Sequence, residues 1–274
     1  MNIVTIIQAR TSSERLPNKV LLPLCGKPLL IRMIERIKES YYIGTIVVAT
    51  TTSKKDDIIA DLCEANEIEC FRGHSTDLLD RHYKLAKLYN ADAIVKIPSD
   101  CPLIDPKIID EVIGHYIDSY PTLDFVSNLH PPSFPDGNDV EIMSFKALET
   151  AWWKAVRNFE REHTTPYIWE NPDKFIIGNI TWETGLDFSS THRWTIDYKE
   201  DYELIKRIYD EVYPLNPSFG LYHILALIEM KPEINNINQK YKGRYWYENH
   251  LNELKNINDF KLKLIKSEFR NNPA

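Results

Sequence analysis

The chain has 274 residues, with 33 Lys and Arg against 40 Asp and Glu, which gives a formal net charge of −7. Hydrophobic residues make up 43% and charged residues 27% of the sequence, a balance that is typical of one large globular domain and excludes disorder along the whole chain. The negative charge argues against general nucleic-acid binding, which requires many cations to neutralise phosphates, but it is compatible with a local cationic pocket for a small phosphate ligand.

The N-terminal part of the chain alternates between strand and helix patterns. Apolar, β-branched runs predict strands over residues 2–8, 45–49, 68–71 and 93–97. Helical patterns occupy residues 28–40, 55–66 and 76–89, with Pro28 in the first turn of the first helix and Ser75 or Thr76 as the cap of the third. This alternation predicts an α/β fold with a mostly parallel central sheet flanked by helices. Ligands of such sheets bind at the carboxyl ends of the strands, so the loops after residues 8, 50 and 97 are candidate sites.

The middle of the chain follows a different pattern. Residues 128–138 are rich in Pro and Asn and predict an irregular loop. Helices carrying three tryptophans are expected over 145–170, a strand over 175–180, a last strand from Trp194 to Asp197, and a helix over 200–212. We interpret residues 1–230 as one domain, in which residues about 130–190 form an inserted substrate or dimerisation elaboration, and residues 231–274 as a peripheral C-terminal extension.

Targeting segments and paired cysteines are not evident in the sequence. The longest apolar runs are too short to span a bilayer, and the N-terminus shows no secretory signal, so no membrane partner is expected. The four cysteines contain no C-x-x-C pair, which argues against a zinc site or a disulfide framework. These features predict a cytoplasmic protein with reduced thiols.

The loop after the first strand is the most informative motif. It places Arg10, Arg15 and Lys19 within ten residues, with small hydroxyl residues between them. Such a loop can wrap a triphosphate, because backbone N–H groups and hydroxyls bind oxygens while the cations neutralise charge. It is neither a Walker A loop nor a dinucleotide-binding glycine motif. A solvated basic loop is the alternative.

The motifs around this loop resemble those of sugar-acid cytidylyltransferases. The pattern A-R-x-x-S-x-R-L-P-x-K over residues 9–19 is followed by L-x-G-K-P-L over 24–29. Further matches are SDCPLIDP (99–106), FPDGNDVE (134–141), REHTTPYIWENP (161–172) and HRWTIDYKEDYELI (192–205). The resemblance covers residues 1–215 and is nearest to the branch of the spore-coat polysaccharide biosynthesis protein SpsF. It implies a Rossmann-like nucleotidyltransferase fold and transfer of CMP from CTP to a small anionic acceptor, with release of pyrophosphate and help from Mg²⁺.

The resemblance also implies roles for residues of the first loop. Arg15 and Lys19, together with Asp100, would be catalytic, and Ala9, Arg10 and Ser13 would join them in binding the nucleotide. Fixed cations suit this chemistry, because phosphoryl-type transfer depends mainly on positioning and on electrostatic stabilisation. The chain departs from many relatives in having Thr11, Ser12 and Asn18 where they carry Gly, and Ser99 is a similar departure.

Two carboxylates are candidates for the metal site. Asp100 follows the predicted strand over 93–97, and Asp197 closes the last predicted strand. Carboxylates at the ends of neighbouring strands can converge on Mg²⁺, which binds through few carboxylates plus phosphate oxygens. From spacing alone the two can equally be helix or turn caps, whereas the resemblance favours the metal.

The acceptor site and the base site are less determined. Asp139 and Glu141 alternate after a Pro-Asp-Gly turn, and Arg161, His163 and Arg193 lie in matching motifs, so all five are candidate substrate-binding residues. A solvated strand edge, or an ion pair of Arg161 with Glu160 or Glu162, is the alternative. Base recognition is assigned to three further residues, Thr50, Arg72 and Arg81, although threonines in this loop can also serve only as helix caps.

Two other functions compete with this interpretation. A metal-dependent glycosyltransferase that uses a nucleotide sugar usually carries Asp-x-Asp, which the sequence lacks. A catalytically silent nucleotide-binding protein need not retain Arg10, Arg15, Lys19, Asp100 and Asp197 together. The aromatic-rich elaboration around Trp152, Trp153 and Trp169 predicts a homodimer, because a monomer would expose much apolar surface.

Overall fold

The computed structural model describes residues 1–244 and 254. The N-terminal half contains, in chain order, β1 (Ile3–Gln8), β2 (Pro23–Leu24), β3 (Lys27–Pro28), α1 (Leu29–Ile37), β4 (Thr45–Thr51), α2 (Asp57–Ala65), β5 (Glu69–Gly73), α3 (Leu78–Leu88), β6 (Ala93–Pro98) and α4 (Pro106–Asp118). The C-terminal half contains β7 (Phe125–Ser127), β8 (Glu141–Ser144), α5 (Phe145–Lys154), α6 (Asn158–His163), α7 (Pro166–Trp169), β9 (Ile177–Asn179), α8 (Lys199–Val212), α9 (Leu221–Met230) and α10 (Pro232–Asn236).

Seven strands form one central sheet in the order β5-β4-β1-β6-β8-β7-β9. β1, β4, β5 and β6 run parallel to one another, whereas β8 is antiparallel to both of its neighbours, β6 and β7. The register aligns Gln8 at the end of β1 with Ala49 in β4 and Pro98 at the end of β6. The carboxyl ends of β1 and β6 therefore meet at one edge, and the predicted α/β class with a mostly parallel sheet is confirmed.

Apolar side chains cover both faces of the sheet. On one face, α1, α2 and α4 pack Leu30, Met33, Ile59, Ile109 and Val112 against strand residues such as Ile7 and Val48. On the other face, α3, α5, α6 and α7 pack against strand residues such as Val4 and Ile6. A third cluster joins α8, α9 and α10 around the fully buried Trp194. No helix in the described part of the chain combines the length and apolar character needed to cross a bilayer.

Two local predictions are wrong. The segment from Trp194 to Asp197 is not a strand, because two of its N–H groups bond to residues in loops and not to a neighbouring strand. Trp194 N–H donates to the Asp136 carbonyl (2.7 Å) and Ile196 N–H to the Asp100 carbonyl (2.9 Å). The residue that caps α3 is Asp77, not Ser75 or Thr76. The Asp77 carboxylate accepts a hydrogen bond from Asp80 N–H at 2.8 Å.

The range predicted to be inserted, about 130–190, contributes β8 and β9 to the central sheet. Its tryptophans are also less exposed than expected. Trp152 stacks on Tyr83 with ring centroids 4.2 Å apart, and Trp169 is buried, whereas Trp153 is 67% exposed. Of the C-terminal extension, the structure describes residues 231–244 and 254, and the rest of the extension lies outside the described residues.

A buried histidine makes the stability of this fold depend on pH. His82 in α3 is fully buried, its Nδ1 lies 2.8 Å from the Leu78 carbonyl oxygen, and burial lowers the pKa of its imidazole to about 3. The unfolded chain protonates this group near its ordinary pKa of 6.5, so it binds more protons than the folded chain below that pH. We expect His82 by itself to lower the free energy of unfolding by up to about 1.4 kcal/mol for each pH unit as the pH drops below about 6.5.

Urea unfolding across this pH range tests the expectation. His82→Asn keeps a nitrogen donor for the Leu78 carbonyl but removes the titration, so the slope should decrease. His115→Asn, which changes an exposed histidine, should keep the wild-type slope. An unchanged slope in His82→Asn would contradict the prediction.

Candidate active site

One large cleft opens at the carboxyl ends of β1 and β6, with a volume of about 600 Å³. Its walls come from the loops after these two strands, from residues 128–139, and from the segment that ends at Tyr198. Of the predicted site residues, the cleft is lined by Ala9, Arg10, Ser13, Arg15, Lys19, Arg81, Asp100, Asp139, Glu141, His163, Arg193 and Asp197. The tertiary structure thus brings together residues that are far apart in the sequence.

Asp56 holds the loop after β1 in place. The Asp56 carboxylate accepts hydrogen bonds from both the N–H and the hydroxyl of Thr11, each at 2.7 Å. Farther along, Asn18 N–H donates to the Thr11 carbonyl at 2.9 Å, and Asn18 itself adopts a left-handed conformation with φ of 59°. Asn tolerates this conformation better than most residues. The loop can therefore adopt this conformation although Thr11 and Asn18 occupy positions where many relatives have glycine.

Lys19 lies between the two predicted metal ligands. Its Nζ donates to Asp100 Oδ2 at 2.8 Å, to Asp197 Oδ1 at 3.2 Å, and to the Ile196 carbonyl at 2.7 Å. Burial alone would lower the pKa of this ammonium group, but the charges of Asp100 and Asp197 outweigh it and raise the pKa. Lys19 is therefore protonated and fixed in position.

Asp197 is the carboxylate with the most cationic partners in the cleft. Arg15 Nη2 lies 2.6 Å from Asp197 Oδ1, and Arg193 Nη2 lies 3.0 Å from Asp197 Oδ2. Burial would raise the pKa of Asp197, but Lys19, Arg15 and Arg193 together lower it. Asp197 is thus ionised at neutral pH.

A buried network behind Asp197 fixes its position. Arg193 is almost fully buried and donates to Asp136 Oδ2 (3.1 Å) and Asp201 Oδ1 (3.1 Å) as well as to Asp197. The Asp201 carboxylate in turn accepts from the N–H groups of Asp197 (3.0 Å) and Tyr198 (2.9 Å), so it caps the start of α8. Asp136 and Asp201 were not among the predicted site residues, although an acid three residues after Tyr198 is a capping signal. Since Arg193 is bound by three carboxylates, the geometry favours a positioning role for it over direct binding of an anionic substrate.

Two further carboxylates in the cleft have raised pKa values. Burial raises the pKa of Asp139 to about 6, and the negative charge of Asp100 adds to this effect. Burial also raises the pKa of Asp136 well above its ordinary value, against the opposing charge of Arg193. Because burial is the main cause of both shifts, Asp136 and Asp139 bind protons more readily than exposed aspartates do.

The donor set fits a divalent cation such as Mg²⁺. Asp100 and Asp197 both bind one Lys19 nitrogen, so each carboxylate has an oxygen near the same point of the cleft. In the described residues, no group of three or more His, Cys, Asp and Glu could hold a metal ion. Magnesium commonly uses one or two carboxylates and takes its remaining ligands from water and phosphates.

The predicted acceptor residues separate into two groups. Asp139, Glu141 and His163 line the cleft, and Glu141 forms an ion pair with Lys96. Glu141 begins β8, whereas Asp139 lies just before it. Arg161 is outside the lining of the cleft, because its Nε lies 2.6 Å from Asp77 Oδ2 and an Nη donates to the Trp152 carbonyl. The partner of Arg161 is therefore the cap of α3 and not the neighbouring Glu160 or Glu162.

The predicted base-binding residues are also divided. Arg81 lines the cleft, and burial lowers its pKa to about 10, with the charge of Arg10 adding to this. Thr50 and Arg72 are not part of the lining: Thr50 is fully buried, and Arg72 donates to the Thr51 and Ser53 carbonyls. The loop after β4 thus lies outside the cleft, and the roles of Thr50 and Arg72 gain no support from the geometry.

Comparison with known proteins agrees with this arrangement. A sequence model described as "Cytidylyltransferase" matches residues 4–258. The chain belongs to the cytidylyltransferase family. Because it does, the protein is an enzyme, a CTP-dependent nucleotidyltransferase, as the motifs predicted.

One relative and two solved structures match along nearly their whole length. The spore coat polysaccharide biosynthesis protein SpsF of Bacillus subtilis is 29% identical over 85% of this chain and 96% of its own. A solved cytidylyltransferase from Leptospira borgpetersenii serovar Hardjo-bovis has a TM-score of 0.81 at 34% identity, covering 90% of this chain and 99% of that one. A CMP:2-keto-3-deoxy-manno-octonic acid synthetase in complex with CTP has a TM-score of 0.60 at 15% identity over 77% of this chain and 99% of its own, and it supports the nucleotidyltransferase fold.

Proposed function

We propose that this cytidylyltransferase transfers CMP from CTP to a small anionic acceptor, an acidic sugar, a sugar or polyol phosphate, or a phosphonate, and releases pyrophosphate. The products would serve surface polysaccharide or glycan biosynthesis, and the reaction would take place in the cytoplasm. The named function of SpsF, to which the chain is similar, supports the pathway.

One observation carries this proposal: the cations of the loop after β1 and two convergent carboxylates meet in a single cleft. Arg10, Arg15 and Lys19 line the same space as Asp100 and Asp197. A triphosphate that is attacked at its α-phosphorus requires this combination, because negative charge grows on the phosphoryl oxygens and on the leaving pyrophosphate. A glycosyltransferase that uses a nucleotide sugar needs no such loop of cations.

Magnesium is part of the proposal. Asp100 and Asp197 would hold the ion, which when bound would neutralise charge on the phosphate oxygens. Lys19 would add its positive charge to the binding of the same triphosphate. Ala9, Ser13 and the backbone of the loop would orient the triphosphate. Asp139, Glu141 and His163 would contact the acceptor.

We expect the enzyme to use CTP at least about tenfold better than UTP, ATP or GTP. Cytosine presents an exocyclic amino donor where uracil presents an oxygen acceptor, and purines differ in size; one unmatched buried hydrogen bond costs about 1–3 kcal/mol. The measurement is pyrophosphate release from each nucleotide, with Mg²⁺, against a panel of octulosonate, nonulosonates, sugar phosphates, polyol phosphates and phosphonates. Equal release from all four nucleotides would contradict the proposal, and the acceptor that supports turnover identifies the substrate class.

We also propose that the enzyme is a homodimer, and two exposed apolar residues at the end of α5 support this proposal. Trp153 is 67% exposed and Val156 is 84% exposed, so an apolar patch lies open there. We expect light scattering at micromolar concentration to give twice the chain mass of 32.1 kDa, and Trp153→Glu to give the single mass. Met230→Glu, at an exposed apolar residue on α9, is the matched control and should stay dimeric. A wild-type monomer would refute the proposal.

A further inference from the structure

The segment that follows α10 packs against the cleft and is not peripheral to it. Asn238 is fully buried, and its Nδ2 donates to the Arg193 carbonyl at 2.9 Å and to Asp201 Oδ1 at 2.8 Å. Arg193 Nη1 in turn donates to the Arg244 carbonyl at 3.1 Å. The segment is therefore joined at two points to the arginine that holds Asp197.

A pair of stacked tyrosines also holds this segment in place. The rings of Tyr198 and Tyr241 are parallel within 5° and their centroids lie 3.8 Å apart. The Arg15 guanidinium lies 5.5 Å from the centroid of Tyr198, and the Arg244 guanidinium lies 5.7 Å from that of Tyr241. Arg244 is thus linked through the two stacked rings to Arg15 of the loop after β1.

No ion pair neutralises the charge of Arg244 among the residues that the structure describes. Arg244 lines the cleft and is exposed, and within residues 1–244 and 254 no carboxylate forms an ion pair with it. Arg15 and Lys19, in contrast, are already engaged by Asp197 and Asp100. A bound triphosphate brings several negative charges, and guanidinium groups bind phosphate oxygens in bidentate fashion. The ring of Tyr241 limits the positions that the Arg244 side chain can take, which lowers the entropy lost on binding.

We propose that Arg244 is a further binding residue for the β- and γ-phosphates of the nucleotide, the part that leaves as pyrophosphate. The segment 238–244 supplies this cation, and Asn238 and Tyr241 position it. The inference rests on the proposed use of CTP in this cleft. The side chain of Arg244 can be changed without disturbing the segment, because its link to Arg193 is made by the backbone carbonyl.

Isothermal titration of the full chain with CTP, with CMP and with inorganic pyrophosphate, in the presence of Mg²⁺, tests the proposal. We expect Arg244→Ala to weaken CTP and pyrophosphate binding by about tenfold or more, as for the loss of one charge-assisted hydrogen bond. CMP lacks the β- and γ-phosphates, so its affinity should change less than about twofold on the same reasoning. Arg244→Lys should recover part of the loss.

The control is Lys240→Ala. Lys240 is a cation of the same segment that also lies near the Tyr241 ring, but its Nζ binds Glu200 Oε1 at 2.7 Å and it is not part of the cleft lining. This variant should bind all three ligands like the wild type. If Arg244→Ala binds CTP and pyrophosphate as tightly as Lys240→Ala does, the inference is wrong while the proposed function stands. A wild-type protein that binds no CTP would instead overturn the proposed function and the inference with it.

Discussion

Asp100→Asn and Asp197→Asn are each expected to abolish turnover, with kcat falling by at least about a hundredfold. Each change removes one formal charge from the pair of carboxylates that converge beside Lys19. A neutral amide binds a hard divalent cation more weakly than a carboxylate does, so the phosphate oxygens would lose their proposed counter-ion. Pyrophosphate release at saturating CTP, acceptor and Mg²⁺ measures the effect.

The two variants should differ in stability. Asp100 pairs with Lys19, whereas Asp197 pairs with Lys19, Arg15 and Arg193. We therefore expect Asp197→Asn to lower the melting temperature more than Asp100→Asn, because it leaves more cationic charge uncompensated. Asp210→Asn, in an exposed i,i+4 pair with Lys206, is a control that should keep both activity and stability. Near wild-type kcat in either site variant would show that the carboxylate has a purely structural role.

Lys19→Ala and Arg15→Ala should reduce kcat far more than they raise the KM for CTP. A triphosphate with bound metal is already partly neutralised, so each cation adds modestly to ground-state binding. As the bond to pyrophosphate breaks, negative charge builds on the leaving group. The interaction of a fixed cation with that group is therefore stronger in the transition state than in the ground state. Losing such a contact costs about 3 kcal/mol, about a hundredfold in rate. The effect should be larger for Lys19, which is held by three acceptors, than for Arg15, whose side chain is 42% exposed.

Arg10→Ala is expected to act differently. Arg10 lines the cleft, and within the described part of the chain it has no carboxylate partner, so its charge is available to the incoming nucleotide. Its loss should raise the KM for CTP first. Lys27→Ala, which removes an exposed cation paired with Glu35 outside the cleft, should leave both constants unchanged.

A different result for Lys19→Ala and Arg15→Ala would contradict their catalytic assignment. If these two variants raise KM and spare kcat, the loop only binds the nucleotide.

The sequence was sufficient to predict the parallel half of the sheet. The runs that became β1, β4 and β6 are apolar and β-branched because their strands are buried on both faces, and this pattern is local. The helices between them were also predicted from local patterns of apolar residues. The segment from Trp194 to Asp197 resembled these runs, yet two of its N–H groups bond to the loop carbonyls of Asp136 and Asp100. Apolar composition reports burial, and it does not distinguish a strand from an extended segment that is buried by other contacts.

The sequence by itself determined the α/β class, the family motifs, and the loop that carries Arg10, Arg15 and Lys19, since each depends on residues that are close together in the chain. The tertiary structure decided which distant residues meet. It placed Asp197 beside Lys19, removed Arg161 and Arg72 from the cleft through ion pairs with Asp77 and Asp57, and brought Arg244 into it. These outcomes depend on packing between segments far apart in sequence. The residues that neighbour a cation in the sequence do not indicate whether a carboxylate elsewhere in the fold will neutralise it.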